Sequence, residues 1–185
     1  MNALLERQAR IILKSGEDQR VTIKVGDRLP DATFTVMGSD GPKPVKTADV
    51  FAGKKVALFA IPGAYTPTCH QKHLPGFLAH MDELASKGVD KVACTAVNDI
   101  FVLDYWAKDT GAMNKIEMLA DGSAAFAKAI GLDVDLSAHG MGVRSKRYAM
   151  LVDDGVVKVL NVEDAPSSHD KSSAETLCGM VGNKI

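Results

Sequence analysis

The stretch LFAIPGAYTPTCHQKHLPGF, at Leu58–Phe77, decides how the rest of the chain is interpreted. An apolar run at Lys55–Ile61 predicts a buried strand, which ends at Pro62-Gly63. A short polar turn follows, and Cys69 then opens a predicted helix. Unpaired backbone N–H groups and the positive end of the helix dipole meet at such a position, and both favour thiolate over thiol. We therefore predict that Cys69 is a reactive nucleophile; the alternative is a buried, inert thiol at the start of a core helix.

Thr66 and two prolines shape the predicted turn before Cys69. Thr66 lies about one helical turn before the cysteine, so its hydroxyl can face the sulfur. The spacing matches the C-x-x-C of a redox dithiol with threonine in place of the first cysteine, so no disulfide can form across this turn. Pro62 and Pro67 stiffen the turn and remove two backbone donors. The site is therefore expected to attack an external molecule.

The motif PGAYTPTC at Pro62–Cys69 resembles the active-site signature of the peroxiredoxins, which are thiol peroxidases on a thioredoxin-like fold. Its continuation HLPGF at His73–Phe77 resembles the type II branch, the group of peroxiredoxin 5. The resemblance continues through Gly88–Lys108 and Gly142–Glu163, and it covers the chain from about Lys24 onward. It implies an α/β fold with a mixed central sheet flanked by helices, a homodimer, and the reduction of hydrogen peroxide and organic hydroperoxides.

Two residues depart from the usual pattern of that family. Tyr65 stands where phenylalanine is usual, and His70 stands where serine is usual. Neither replaces a residue that the chemistry needs. A histidine beside the thiol can nevertheless alter the fate of the oxidised cysteine.

The resemblance implies a role for each polar residue of the site. Cys69 attacks the terminal peroxide oxygen and becomes a sulfenic acid, while the Thr66 hydroxyl and the Cys69 N–H hydrogen-bond the peroxide. A guanidinium stabilises the negative charge that develops as the O–O bond breaks. Arg147 matches the residue that contacts the sulfur, Arg144 matches a supporting position, and Arg20 is a weaker candidate. The alternative for these arginines is a solvated surface charge.

Three further residues are assigned to the site. Pro62 stiffens its first turn, and His73 supports the active-site loop by hydrogen bonding. Trp106, the only tryptophan, is predicted to pack in the core. Because its family equivalent lies near the thiol, its fluorescence is expected to change on oxidation.

The route that reduces the sulfenic acid stays open. Cys94 lies 25 residues after Cys69, and plant-like type II peroxiredoxins carry a second cysteine at that spacing. A disulfide needs Cα atoms within about 7 Å, so a bond from a buried strand would require the active-site turn to unfold. Cys178 matches no resolving cysteine of animal relatives. An external thiol, either glutaredoxin with glutathione or thioredoxin, is therefore our first choice, and Cys94 is the alternative.

Other functions are open to the same residues. A thiol–disulfide oxidoreductase normally needs C-x-x-C, and a redox-signalling relay would accumulate mixed disulfides with a partner protein. A metal site at Cys69, His70 and His73 is disfavoured, because adjacent helical residues point about 100° apart and no second ligand pair has zinc spacing. We expect neither a metal nor a cofactor.

The composition of the chain limits its domain number, its binding partners and its cellular compartment. A chain of 185 residues with a net charge of −1 suits one globular domain and gives no electrostatic footprint for nucleic acid. No apolar run approaches the roughly 20 residues that span a membrane. Three cysteines without a close pair favour a reducing compartment, so the cytoplasm is expected. The basic, amphipathic start gives a mitochondrial alternative, and we divide the chain into an extension at 1–20 and a peroxiredoxin domain at 21–185.

Hydrophobic periodicity and turn residues predict the other elements. We expect an edge strand at Ala32–Met37, a turn at Ser39–Pro44, and a helix from Cys69 to about Lys87 that bends near Pro75-Gly76. Asp153-Asp154-Gly155 is typical of a hairpin turn. The remaining strands are expected at Val92–Val97, Met118–Ala120, Tyr148–Val152 and Val156–Leu160, and the helices at Asn98–Lys108, Ser123–Ile130 and Ser172–Val181.

Overall fold

The computed structural model describes residues 21–182. The predicted extension at 1–20, including Arg20, lies outside the described residues. The strands are β1 Thr33–Gly38, β2 Gly41–Lys46, β3 Lys55–Ile61, β4 Lys91–Ala96, β5 Glu117–Ala120, β6 Asp133–Asp135, β7 Val143–Ser145, β8 Tyr148–Asp153 and β9 Val156–Val162. The α-helices are α1 Thr47–Phe51, α2 Leu74–Ala79, α3 Met81–Ser86, α4 Ile100–Asp109, α5 Ala125–Ala129 and α6 Ala174–Met180; a π-helical turn covers Cys69–His73 and a 3₁₀ turn covers Ser137–His139.

A seven-stranded mixed sheet organises the fold, with strand order β2-β1-β5-β4-β3-β8-β9. Strands β3, β4 and β5 run parallel, while β8 lies antiparallel to β3 on its other side. This arrangement confirms the expected α/β class with a mixed central sheet flanked by helices. None of the helices in the described part of the chain is long and apolar enough to cross a membrane.

The two faces of β3 each carry a buried core. Ala57, Phe59 and Ile61 face one core, which also includes the cysteines, Trp106 and the apolar sides of α2, α4 and α6. Alternate residues of the same strand face a second core, built with α1, α5 and Phe34. A strand covered on both faces reads as a continuous apolar run, which explains the pattern at 55–61.

The prediction that Ala32–Met37 forms an edge strand is wrong, because this strand, β1, lies inside the sheet. β1 lies between β2 and β5, and the edge belongs to β2, whose residues 41–44 were expected to form a turn. Only Ser39 and Asp40 separate the two strands. The prolines at 42 and 44 misled the turn prediction, since proline is tolerated on an edge strand where one side needs no backbone donor.

The prediction of one long helix from Cys69 to about Lys87 is also wrong, because the segment contains a π-helical turn and two short α-helices. It begins with the π-helical turn, in which the Leu74 N–H donates to the Cys69 carbonyl. Pro75 then falls in the first turn of α2, where its missing N–H costs little. The chain breaks instead at His80, with φ −103° and ψ 11°, before α3 begins.

Local signals predicted several elements correctly. The Asp99 carboxylate caps α4 by accepting from the Val102 N–H at 3.0 Å. Asp154 and Gly155 form the hairpin turn between β8 and β9, both with positive φ as a two-residue turn of that hand requires. These confirmed predictions depend on residues adjacent in the sequence.

Candidate active site

Cys69 lies beyond the carboxyl end of β3, a strand inside the sheet. β3 ends at Ile61, the chain turns through Pro62-Gly63, and helical structure begins at Pro67. Cys69 therefore sits in the first helical turn, as expected, and its side chain has no exposed surface. π-Helical turns are rare and occur frequently at functional sites.

Arg147 reaches this thiol from the neighbouring strand. It directly precedes β8, whose Tyr148 pairs with Ala60 near the end of β3, so the guanidinium lies beside the active-site turn. Its Nη2 donates to the Cys69 Sγ at 3.2 Å and to the Pro166 carbonyl at 2.9 Å. The arginine is only 2% exposed, which overturns the solvated-charge alternative for this residue.

The Cys69 sulfur is the group beside Arg147 that could compensate the buried charge of the guanidinium. Within residues 21–182, no carboxylate forms a salt bridge with Arg147, whose other contacts are to the Pro166 carbonyl and to a histidine nitrogen. Burying an unpaired charge is costly. A negative charge on the Cys69 sulfur would compensate this charge.

His73 orients the guanidinium and is held neutral. Its Nδ1 accepts from Arg147 Nη1 at 3.1 Å, which leaves the proton on Nε2 to be donated to the Ser172 carbonyl at 2.9 Å. Burial, followed by the positive charge of Arg147, lowers the pKa of His73 to about 3. Phe59 and Phe77 pack their rings against the imidazole. This side chain therefore positions the arginine and is a neutral imidazole, with no proton on Nδ1, at neutral pH.

A loop between β9 and α6 completes the site, and sequence reasoning missed it. Glu163 accepts from the Ser172 N–H at 2.7 Å and from its hydroxyl at 2.9 Å. These two hydrogen bonds hold the loop whose Pro166 carbonyl accepts from the Arg147 guanidinium. The His169 ring lies edge-on to His73 at 4.9 Å. No motif marked these residues, because the loop meets the active-site helix through Ser167–Thr68 and Ser172–His73, pairs that lie 99 residues apart in the sequence.

Thr66 lies beside the turn but does not donate to the sulfur. Its hydroxyl donates to the Gly63 carbonyl at 2.8 Å. Because the hydroxyl proton is committed, the free lone pairs of Oγ1 can accept a hydrogen bond from an incoming ligand. The threonine is therefore placed as an acceptor.

Arg144 supports the backbone and does not contact Cys69. Its Nε donates to the Met141 carbonyl at 2.7 Å and its Nη1 to the Pro62 carbonyl at 3.4 Å. The same Nη1 lies 3.2 Å from where a Cβ on Gly63 would stand. Arg144 and Pro62 together hold the turn that follows β3.

Cys94 and Trp106 share the core below the site. Cys94 lies in β4 on the same face as the Cys69 helix and has no exposed surface. Burial, with a further contribution from the nearby Cys69, raises the pKa of the Cys94 thiol well above its ordinary value. Trp106 is also fully buried, and its Nε1 donates to His70 Nδ1 at 3.0 Å. All three cysteines, including Cys178 in α6, are free thiols.

The mixed sheet and the buried thiol–guanidinium pair define a thiol-dependent redox protein on a thioredoxin-like fold. The Redoxin family model matches residues 24–178. Peroxiredoxin-2E of the Arabidopsis thaliana chloroplast is 48% identical over 160 residues, which cover 84% of this chain and 68% of that protein. Peroxiredoxin-2B of the same plant is 47% identical, over 76% of this chain and 88% of its own length.

A solved structure agrees with these sequence matches. The reduced Prx3 of Vibrio vulnificus, in complex with hydrogen peroxide, superimposes with a TM-score of 0.82 at 48% identity, over 86% of this chain and 99% of that one. The chain therefore belongs to the peroxiredoxin family, in its type II branch, and is a thiol peroxidase.

Proposed function

We propose that Cys69 is the peroxidatic cysteine and that the enzyme reduces hydrogen peroxide and organic hydroperoxides. The observation that carries this proposal is the 3.2 Å contact from a buried guanidinium to the Cys69 sulfur. The Cys69 thiolate attacks the terminal oxygen of ROOH, the O–O bond breaks, and the departing alkoxide takes a proton to leave as ROH. The sulfur keeps the transferred OH as a sulfenic acid.

The neighbouring residues match the needs of this step. Thr66 Oγ1 accepts from the hydroxyl of the peroxide, which turns the terminal oxygen towards the sulfur. Arg147 stabilises the negative charge that moves onto the departing oxygen, a contribution that is large in a site closed to water. Pro62 and Arg144 hold the turn, and the neutral His73 holds the guanidinium in place.

An external thiol completes the cycle in this proposal. The reductant R′SH attacks the sulfenic acid, water leaves, and a second R′SH releases Cys69 as a thiol with formation of R′SSR′. The raised pKa of Cys94 supports an external route, because a neutral thiol is a poor nucleophile. Glutaredoxin with glutathione and thioredoxin are the two candidates, and a Cys69–Cys94 disulfide is the alternative.

Reconstitution with each reductant tests this assignment. Purified protein and hydrogen peroxide are combined with glutaredoxin, glutathione and glutathione reductase in one assay, and with thioredoxin and its reductase in another. Oxidation of added NADPH is followed in both. Turnover with either system that survives in Cys94→Ser supports the external route. Turnover that depends on Cys94 would overturn it.

A homodimer through the helix beside the site completes the proposal. Phe101 and Tyr105 lie on one face of α4 and are 59% and 63% exposed. Exposed aromatic side chains of this kind are enriched in interfaces. Sedimentation of the wild type should show a dimer, and Phe101→Glu should shift it to a monomer.

The cellular setting stays a proposal as well. We place the protein in the cytoplasm and assign it to antioxidant defence. The Arabidopsis relative is named as chloroplastic, so family membership alone does not select a compartment. Imaging of the full chain fused at its C-terminus to a fluorescent protein distinguishes the cytoplasm from the mitochondrion.

A further inference from the structure

The two departures from the family pattern contact each other. The Tyr65 and His70 rings stack with centroids 5.8 Å apart and an angle of 23° between their planes. The Tyr65 hydroxyl donates to Asp109 Oδ2 at 2.6 Å, and Trp106 Nε1 donates to His70 Nδ1 at 3.0 Å. These four residues, here called the clamp, join both flanks of Cys69 to one turn of α4.

The clamp holds a strained backbone. Tyr65 has φ +62°, in the left-handed region that aromatic residues rarely adopt. Such a residue keeps that conformation only where its surroundings determine it. The Asp109 hydrogen bond and the His70 stack supply this constraint here, since the tyrosine is otherwise 47% exposed.

The clamp matters for the step that follows peroxide reduction. The Cys69 side chain has no exposed surface, so the thiol of a protein or of glutathione cannot reach its sulfur while the turn stays folded. The sulfenic acid then has two fates: reaction with a thiol, which gives a disulfide and water, or reaction with a second ROOH, which gives a sulfinic acid and ROH.

We propose that the clamp of Tyr65, His70, Trp106 and Asp109 is a positioning device that keeps the turn folded and slows attack by thiols on the sulfenic acid. The enzyme consequently loses more molecules to sulfinic acid at a given peroxide concentration. This inference rests on the proposed role of Cys69. The residues that hold the peroxide, Thr66 and Arg147, lie outside the clamp.

Tyr65→Phe, Asp109→Ala and their double variant test the clamp. Stopped-flow fluorescence separates oxidation of Cys69 from the later reaction with thiol, and mass spectrometry gives the sulfinic fraction. Each single variant should speed the thiol reaction about three- to tenfold, the effect of one lost hydrogen bond, and lower the sulfinic fraction in proportion. The double variant should add little, because both changes remove the same bond.

Asp104→Ala is the matched control, since it removes a carboxylate from the same helix that accepts from Lys108 at 2.7 Å, outside the clamp. It should leave both phases within about twofold of the wild type, as should the first phase of the clamp variants. Thiol rates within twofold of the wild type in both single variants, or an equal change in the control, would overturn the proposal.

Amide hydrogen exchange in the reduced protein provides a test that does not depend on peroxide chemistry. Exchange across 64–71 should accelerate in Tyr65→Phe and Asp109→Ala but not in Asp104→Ala. Unchanged exchange would overturn the clamp. Faster exchange without any oxidation of Cys69 would support the clamp as a structural latch, while overturning the proposed role of Cys69 and the resolution step that depends on it.

Discussion

Removal of the Arg147 guanidinium should slow peroxide reduction far more than it perturbs the fold. Arg147→Gln deletes the charge that lies 3.2 Å from the Cys69 sulfur, but it keeps an amide that can donate to the Pro166 carbonyl. The thiolate then loses its only charged partner among the described residues. The departing oxygen loses its stabilising donor in the same change.

The expected loss follows from the site's closure to water. Removal of one preorganised donor from such a site typically costs about 10²–10³ in rate, or roughly 3–4 kcal/mol of transition-state stabilisation. Arg147→Lys keeps the positive charge, but an ammonium group cannot donate to the sulfur, the carbonyl and the imidazole at once as the planar guanidinium does. We therefore expect a smaller loss in the peroxide rate constant, of about tenfold. Arg144→Gln is the matched control, because that arginine donates to the Met141 and Pro62 carbonyls.

Stopped-flow measurement of Trp106 fluorescence after mixing with hydrogen peroxide gives the second-order rate constant for each variant. Circular dichroism and urea unfolding establish that each variant is folded. A folded Arg147→Gln protein within tenfold of the wild-type rate would refute the electrostatic account. An equal loss in Arg144→Gln would refute the claim that direct contact with the sulfur is what matters.

Three other predictions follow from the site. Thr66→Val should lower the peroxide rate constant about tenfold or more, because the acceptor oxygen is gone, while Thr66→Ser should retain most activity; equal rates for the two would contradict the acceptor role. The pKa of His73 is lowered from 6.5 to about 3 in the folded protein. Between these two pH values the imidazole is protonated in the unfolded chain but neutral in the folded one. The free energy of unfolding should therefore fall by about 1.4 kcal/mol for each pH unit as the pH drops from 6.5 to about 3. Urea unfolding across this range should show a shallower dependence in His73→Gln, and identical slopes would contradict the burial of a neutral imidazole. Cys94→Ser should abolish any Cys69–Cys94 disulfide yet keep turnover with glutaredoxin or thioredoxin within about threefold of Cys178→Ser, and loss of turnover only in the first variant would make Cys94 the resolving thiol.

The parts of the fold that depend on neighbouring residues could be predicted from the sequence. The apolar run of β3, the Asp99 cap of α4 and the Asp154-Gly155 turn each carry their own signal. The position of β1 in the sheet does not, because strand order depends on pairing between distant segments. The π-helical turn at Cys69–His73, closed by the Leu74 N–H to the Cys69 carbonyl, was likewise not predicted from the sequence.

The site divides in the same way. The motif around Cys69 indicated the thiol and Thr66, and the family resemblance indicated Arg147. The Glu163–Ser172 pair and the Pro166 carbonyl were missed, because a backbone acceptor has no residue type to recognise and the loop meets the site only after folding. The contact between Tyr65 and His70 was missed although both had been noted separately as departures from the family pattern.

Mass spectrometry of the reduced protein after one equivalent of hydrogen peroxide, with a sulfenic acid trap present, tests the central claim most directly. We predict a trapped adduct on Cys69 and unmodified thiols at Cys94 and Cys178. An adduct on either other cysteine with Cys69 unchanged would contradict the account, as would the absence of any rapid change at Cys69.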